Sequence, residues 1–206
     1  MVRFRQRGVP YHSRDLRDDW DALFFMQHYG VPTRLLDWTE NPLTGLYFAL
    51  MSAPWRQASN GSVQYSKPAA VWVLDPHIWN QAALSHVSYT GGPLTAGDDA
   101  LKGYAHQLGA AAMNAYPVAL YGAHNSARIV AQQGVFTIFG THKVPMEALV
   151  RNGTFPQSAL CRVIVPPSRV TPMRTSLLNQ GITETSVFPD LEGLARETKR
   201  HFGFEP

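Results

Sequence analysis

A loop rich in hydrogen-bonding groups, residues 26–42, is the feature that most restricts how this chain folds. Its sequence, MQHYGVPTRLLDWTENP, fits neither the spacing of an amphipathic helix nor the alternation of a half-buried strand. Pro32 and Pro42 limit the conformations of its backbone, and Gly30 permits a sharp turn. Because binding and catalytic residues concentrate on polar loops that a rigid scaffold holds, we expect this loop to carry the functional site.

Helices are predicted on both sides of the loop. Apolar residues at helical spacing predict a helix over residues 14–29, which Gly30 and Pro32 end. Asn41 suits an N-cap and Pro42 suits the first helical position, so a second helix is expected over residues 41–52.

The rest of the chain mixes strand and helix signals without regular alternation. Apolar runs predict a buried strand at 69–75, another at 159–165, and one or two strands within 127–139 that break at Gly134. Further helices are predicted at 76–84, 98–113, 145–151, 171–180 and 189–201, and residues 52–68 are expected to form a surface loop. This order favours an α+β fold with a mixed or antiparallel central sheet flanked by helices.

The length of the chain fits one domain, and its charge content is low. A chain of 206 residues fits a single domain. Charged residues make up 16%, against about 25% in typical domains, and the favoured explanation is a surface made polar by Ser, Thr, Asn, Gln and His. The alternative is that part of the surface meets a partner or another domain.

The basic residues give only a weak nucleic-acid signal. The formal net charge is +3, and arginines cluster near the start of the chain, at Arg3, Arg5, Arg7, Arg14 and Arg17. Nearby aspartates partly offset that cluster, whereas a nucleic-acid footprint would be a clustered basic face.

The cysteine count and the hydropathy pattern bear on the cellular compartment of the protein. A lone Cys161 excludes an internal disulfide, and its place in a strand-like run predicts a small buried hydrophobe. The first residues lack the apolar run of a secretory signal, and the apolar stretches are too short to span a bilayer. A cytoplasmic location is therefore expected.

The first group of candidate residues is His28, Arg34 and Asp37. His28 can titrate near neutrality or exchange hydrogen bonds in its neutral form. The planar guanidinium of Arg34 suits bidentate capture of a phosphate or a carboxylate. Asp37 would pair with Arg34 or fix its direction. The alternative is structural, with Arg34 and Asp37 forming a buried tether and Trp38 packed in the core.

Two further groups lie downstream. Gln132 and Gln133, near Arg128 and next to Gly134, would orient a ribose or a base edge from a strand, or would simply face water at a sheet edge. Tyr47, on the helix after the loop, would line a pocket beneath Arg34 or would pack in the core. Common metal, nucleotide and hydrolase motifs such as HExxH, CxxC, GxGxxG and GxSxG do not occur, and no metal is predicted.

Four blocks of sequence resemble the FRG domain, a family found widely in bacterial and phage proteins. In chain order they are MQHYGVPTRLLDWTENPLTGLYFAL from Met26, AAVWVLDP from Ala69, RIVAQQGVFT from Arg128 and FPDLEGL from Phe188. The Phe-Arg-Gly triplet that names the family has only a near match, in Phe4–Gly8, which is expected to be helical. The resemblance therefore implies a single FRG domain over residues 1–206 that is truncated at its N-terminus.

The order of these blocks is also similar in outline to ADP-ribosyltransferases, which implies NAD as a substrate. In that superfamily a His or Arg holds NAD, an aromatic ring stacks on nicotinamide, and a late polar residue, usually Glu, activates the acceptor. By this resemblance the catalytic residues would be His28, Arg34, Gln132 and Gln133. The residues that bind NAD would be Gln27, Tyr29, Thr33, Asp37, Tyr47 and Arg128. No late Glu is evident in the sequence, and Gln can orient an acceptor but cannot be a general base.

The resemblance implies a role in conflict or defence systems of bacteria and phage, as a transferase or toxin, with an additional domain or an antitoxin-type protein as a partner. A non-catalytic module that binds a nucleotide or nucleic acid is the main alternative, with Arg34, Arg128 and the N-terminal arginines on phosphates. A protein-interaction domain is the second alternative.

Overall fold

A computed structural model of the chain describes residues 1–12, 15–124 and 126–204, so Arg14 lies outside the described residues. The described α-helices, numbered α1 to α9 in chain order, are Val2–Gly8, Asp19–His28, Pro42–Met51, Pro76–Ala83, Ala127–Ala131, Met146–Arg151, Pro167–Asn179, Glu184–Val187 and Leu191–His201. The described strands, β1 to β7, are Leu35–Thr39, Trp55–Gln57, Val63–Tyr65, Ala69–Leu74, Val118–Leu120, Gly134–Ile138 and Leu160–Val165.

The strands form small sheets, in the orders β1-β6-β5, β2-β3 and β4-β7. The pairs β2–β3, β4–β7 and β5–β6 are antiparallel, with Ala69 opposite Val165 and Leu74 opposite Leu160 in the longest of them. The α+β class is therefore confirmed. The one central sheet that was expected is replaced, in the described residues, by these separate small sheets.

The chain divides into two compact units, which are described one at a time. The first unit comprises Met1–Trp38, Asp75–Asn125 and Val135–Ala159. The second unit comprises Thr39–Leu74, Ser126–Gly134 and Leu160–Pro206. The prediction of a single domain over residues 1–206 stays a prediction.

The first unit is organised around buried aromatic side chains. Helix α2 begins where the Asp18 carboxylate accepts the Asp21 backbone N–H at 2.8 Å, and it buries Phe24, whose ring centroid lies 5.1 Å from that of Phe136. Trp79 is fully buried on α4, stacks on Phe155 at 4.2 Å and donates its indole N–H to the Pro117 carbonyl at 2.7 Å. A buried indole needs such an acceptor, because an unpaired N–H in the core is costly.

A buried asparagine joins α4 to β5 in the same unit. The Asn80 side chain accepts the Ala119 N–H at 2.7 Å and donates to the Ala119 carbonyl at 2.8 Å. This amide thus makes the pair of hydrogen bonds that a neighbouring strand would make. It satisfies the Ala119 N–H of β5 and is a second donor to the Ala119 carbonyl, which also accepts the Leu94 N–H at 2.9 Å.

The second unit packs α3 and α7 around one apolar cluster. Helix α3 begins where Asn41 Oδ1 accepts the Leu43 N–H at 2.9 Å, with Pro42 in the first turn. Its buried face meets β4, β7, α7 and the α8 corner in a cluster of residues Tyr47, Leu50, Ala53, Ala69, Val165, Val170, Leu177, Val187 and Phe188.

Several predicted elements hold and several are corrected. The helices over 41–52, 76–84 and 145–151 are confirmed, whereas the helix predicted over 14–29 begins only at Asp19. Residues 98–113 form short 3₁₀ turns instead of a helix, and the predicted loop 52–68 contains the β2–β3 hairpin. Cys161, predicted to be buried, is exposed on β7.

The segment 127–139 is the largest correction. One or two strands are predicted there; β6 confirms one strand, whereas Ala127–Ala131 forms helix α5 instead of a strand. The Ser126 hydroxyl oxygen accepts the Ile129 N–H at 3.2 Å, which caps a helix at this point, and Gln133 takes a left-handed conformation, φ 46°, between helix and strand. The helix N-cap therefore prevails over the β-branched residues that suggested a strand.

Among the residues that the structure describes, no helix has the length and apolarity needed to cross a membrane.

Candidate functional site

A chain of hydrogen bonds joins the end of α2 to β1, within the first unit, and corrects the prediction that residues 26–42 are a loop, because Leu35–Thr39 forms strand β1. The Thr33 hydroxyl donates to Gln27 Oε1 at 2.5 Å and accepts the Leu35 N–H at 3.0 Å. Gln27 Nε2 in turn donates to Asp37 Oδ2 at 2.8 Å. The structure thus brings together three of the predicted ligand-binding residues, Gln27, Thr33 and Asp37. Because each side chain is held by the next, the loop presents the Asp37 carboxylate in a set direction.

His28 and Tyr29 lie at the end of α2, beside this network. Their rings meet edge to face, with centroids 4.8 Å apart, and Tyr29 also meets Phe25 edge to face at 4.9 Å. The Tyr29 side chain is nevertheless 63% exposed. Gly30 follows with φ 70°, a conformation that glycine adopts without strain, and turns the chain away from the helix. The result is an oriented aromatic ring that is open to solvent.

Arg34 is a structural tether, with partners different from the one expected. Its guanidinium donates to the carbonyl oxygens of Tyr104 at 2.6 Å and Phe139 at 2.7 Å, and it lies 3.1 Å from Met113 Sδ. Burial lowers the pKa of this guanidinium from its ordinary value. Since guanidinium donors used by the backbone are not available to a phosphate, the tether alternative describes Arg34 better than the ligand-binding one.

Trp38 supports the same part of the first unit. Its indole N–H donates to the hydroxyl oxygen of the buried Thr137 at 3.2 Å, which joins the end of β1 to β6. The Asp37 side chain, one residue earlier, is on the exposed side of β1. The Asp37 carboxylate is therefore accessible, whereas Trp38 is partly buried.

The second unit holds the remaining predicted residues, beginning with Arg128 on α5. The Arg128 guanidinium lies over the Phe188 ring, 4.4 Å from its centroid, and Arg196 of α9 lies over the same ring at 4.8 Å. Arg196 also pairs with Glu192 at 2.5 Å. In the described part of the chain no carboxylate pairs with Arg128, which distinguishes it from Arg196.

Gln132 and Gln133 lie at the end of α5 and not on a strand. Gln132 donates its amide to the Val187 carbonyl at 3.1 Å, and its own carbonyl accepts the Thr39 hydroxyl at 2.6 Å. Gln133 has an exposed side chain, and its carbonyl accepts the Glu40 N–H at 3.1 Å. Of the two side chains, therefore, Gln132 joins elements of the second unit and Gln133 faces solvent.

Tyr47 packs in the core of the second unit. Its side chain is 3% exposed, with ring centroids of Phe48 and Phe188 at 5.7 and 6.4 Å. Burial, and then the negative charge of Glu184, raises the pKa of Tyr47 to about 12. The hydroxyl therefore stays protonated at neutral pH. This placement matches the core-packing alternative and leaves no exposed ring face for a nicotinamide.

Sequence reasoning missed a buried ion pair in the second unit. Both carboxylate oxygens of Glu184 accept from Arg200, at 2.8 and 3.0 Å, and the Glu184 side chain is 5% exposed. The FPDLEGL block was a usable signal for this region. Asp190 caps α9 by accepting the Gly193 N–H at 2.8 Å, and a Cβ at Gly193 would lie 1.9 Å from the Phe188 carbonyl oxygen. The block thus specifies the corner that positions Phe188.

The predicted residues therefore form two groups, each within one unit. Gln27, His28, Tyr29, Thr33, Arg34 and Asp37 belong to the first unit, and Tyr47, Arg128, Gln132 and Gln133 belong to the second. Within the described ranges, no group of three or more His, Cys, Asp or Glu side chains is arranged to hold a metal ion.

Comparison with known proteins matches the polar loop to one family. The model of the FRG domain matches residues 1–57, about a quarter of the chain, and this range contains the whole Gln27–Asp37 network. No curated protein and no solved structure matches the chain. The match confirms the resemblance carried by MQHYGVPTRLLDWTENP, and residues 1–57 of the chain are similar to the FRG domain.

Proposed function

We propose that this protein binds a nucleotide of the NAD class at the loop after α2 and acts as an ADP-ribosyltransferase-like enzyme. The observation that carries the proposal is the exposed Tyr29 ring, oriented by His28 and Phe25 beside the Gln27–Thr33–Asp37 network. An exposed ring held in one direction is suited to stack on a nicotinamide or an adenine, because every base has a π face.

The polar groups around the ring supply complementary roles. The His28 imidazole can exchange a hydrogen bond with a ribose hydroxyl. Asp37, anchored by Gln27, places a carboxylate where positive charge would develop on the ribose as its bond to nicotinamide breaks. In the transfer step the C1′–N bond breaks and nicotinamide leaves with the bonding electrons. The acceptor nucleophile then forms the new bond to C1′ and releases its proton.

Replacing Tyr29 with alanine should weaken NAD binding by about tenfold, since base–aromatic stacking contributes roughly 1–3 kcal/mol. The measurement is the rise in the free energy of unfolding with added NAD. At 100 times the dissociation constant, NAD should stabilise the parent protein by about 2.7 kcal/mol. Tyr11→Ala is the matched control, because Tyr11 is also an exposed tyrosine of the first unit. Equal loss in both variants, or no NAD-dependent stabilisation of the parent, would refute the proposed site.

Nicotinamide release separates the enzyme from a non-catalytic nucleotide-binding module. The non-catalytic module is favoured by one observation. Arg34 and Gln132, two of the predicted catalytic residues, donate their side-chain N–H groups to protein carbonyl oxygens, and those donors are not available to a substrate. Chromatography of the reaction mixture, with label transfer from NAD to protein or nucleic acid, should show turnover that Asp37→Asn reduces. Saturable NAD binding without nicotinamide release would support the binding module.

A role in phage defence is part of the proposal, and plaque counts on cells carrying the parent or Tyr29→Ala chain check it.

A further inference from the structure

The Phe188 ring of the second unit carries two guanidinium groups from separate helices. Arg128 of α5 lies 4.4 Å from the ring centroid and Arg196 of α9 lies 4.8 Å from it. Phe188 itself is buried, and Phe48 meets it edge to face at 5.9 Å. One buried ring, the Phe188 platform, therefore contacts guanidinium groups from two separate helices.

The charges on this platform are only partly balanced. Arg196 pairs with Glu192 at 2.5 Å, and Arg200, also on α9, pairs with the buried Glu184 at 2.8 Å. Arg128 has no carboxylate partner and no hydrogen-bond acceptor among the described residues, and it is only partly exposed. Two like charges that contact one ring repel each other, so an anion bound to these guanidinium groups would relieve that repulsion.

The way Arg128 is held suits it to bind an oxyanion. Contact with an aromatic ring uses the face of the guanidinium and leaves the N–H groups in its plane free to donate. Such a fork matches two oxygens of a phosphate. Arg162 offers a contrast in the same unit, because it lies 5.4 Å from the Trp72 ring centroid on an exposed strand without a second cation.

We propose that Arg128 and Arg196, held on Phe188, form a binding site for a phosphate group. Its ligand is a phosphate or pyrophosphate, free or carried by a nucleotide. The site is built from residues of the second unit alone, and it does not depend on the NAD role proposed for the loop after α2.

The test is the thermal stability of the full chain with added pyrophosphate, inorganic phosphate, ADP or adenosine, each measured against sodium chloride at equal ionic strength. We expect saturable stabilisation by pyrophosphate and ADP and none by adenosine. If pyrophosphate stabilises but ADP does not, the site takes the free ion; if ADP binds more tightly, it takes the nucleotide-borne group. Stabilisation that chloride reproduces, or that no phosphate compound gives, would overturn the proposal.

Three variants assign the site to these residues. Arg128→Lys keeps the charge and loses the fork, and it should weaken pyrophosphate binding about tenfold or more. Arg162→Lys, the matched control, should leave it unchanged. Glu192→Gln removes the negative charge that competes with an anion for exposed Arg196, and it should tighten pyrophosphate binding by several-fold. If Arg128 and Arg196 had only structural roles, Glu192→Gln would not tighten pyrophosphate binding. Unchanged pyrophosphate affinity in both Arg128→Lys and Glu192→Gln would therefore contradict the site, and the second variant keeps the test valid if the first folds poorly.

Because the two proposed sites have separate residues, their failures are distinguishable. Loss of NAD stabilisation in Tyr29→Ala with retained pyrophosphate binding would support the loop site and leave the Phe188 platform standing. Loss of pyrophosphate binding in Arg128→Lys should leave the effect of Tyr29→Ala on NAD binding in place.

Discussion

Glu184→Ala should lower the free energy of unfolding by about 3 kcal/mol, at the lower end of the range for breaking a buried ion pair. Glu184 accepts two hydrogen bonds from Arg200 and is almost fully buried, so its removal leaves a partly buried guanidinium without its counter-charge. The Arg200 side chain keeps some exposure to water, which limits the cost. Urea unfolding followed by circular dichroism measures the change.

Glu192→Ala is the matched control on the neighbouring helix. Glu192 also pairs with an arginine of α9, Arg196 at 2.5 Å, but its side chain is 61% exposed. Exposed pairs are screened by water, so this variant should lose less than about 1 kcal/mol. Similar losses in Glu184→Ala and Glu192→Ala would show that burial does not determine the contribution of the Glu184–Arg200 pair.

Local signals explain which parts of the fold the sequence predicts. Asn41 and Pro42 predict the start of α3, and the structure has both in those roles. Pro76 likewise begins α4, where the Asp75 carboxylate accepts the N–H groups of His77 and Ile78 at 3.0 Å. A helix N-cap depends on residues two or three positions apart, so it can be recognised without knowledge of the tertiary structure.

Segments with competing local signals are where the prediction is wrong. The run Arg128–Ala131 contains the β-branched residues Ile129 and Val130, which suggested a strand. The Ser126 cap and the buried contact of Ile129 favour a helix instead. Cys161 shows the same limit, because exposure on β7 depends on what covers each face of the β4–β7 sheet and not on residue type.

In the candidate site, too, local contacts follow from the sequence and distant contacts do not. Gln27, Thr33 and Asp37 lie within one short segment, and their connection follows from the density of polar groups in that loop. The partners of Arg34 lie 70 and 105 residues away along the chain, in irregular backbone that no sequence pattern connects to it. The type of residue predicted a strong hydrogen-bonding group there, but only the structure distinguishes a ligand-binding arginine from a tether.

Arg34→Ala should destabilise the protein by about 3 kcal/mol, because it removes two hydrogen bonds from a charged donor and leaves buried carbonyl oxygens without partners. Those oxygens belong to Tyr104 and Phe139, so the variant removes the side-chain hydrogen bonds that join the start of β1 to two other segments of the first unit. Arg34→Lys should lower the free energy of unfolding by less, because an ammonium keeps the charge. It should still lower it, because an ammonium cannot span both acceptors in one plane. Thermal and urea unfolding, with and without NAD, measure both effects.

Arg56→Ala is the control for removing an arginine. Its guanidinium is exposed and lies 3.4 Å from Gln64 Oε1, so its loss should change stability by no more than about 0.5 kcal/mol. A structural tether predicts that folded Arg34→Lys keeps the stabilisation by NAD while its own stability falls. The opposite pattern, unchanged stability with the NAD effect lost, would assign Arg34 to the ligand and would mean that its carbonyl partners exchange for a phosphate on binding.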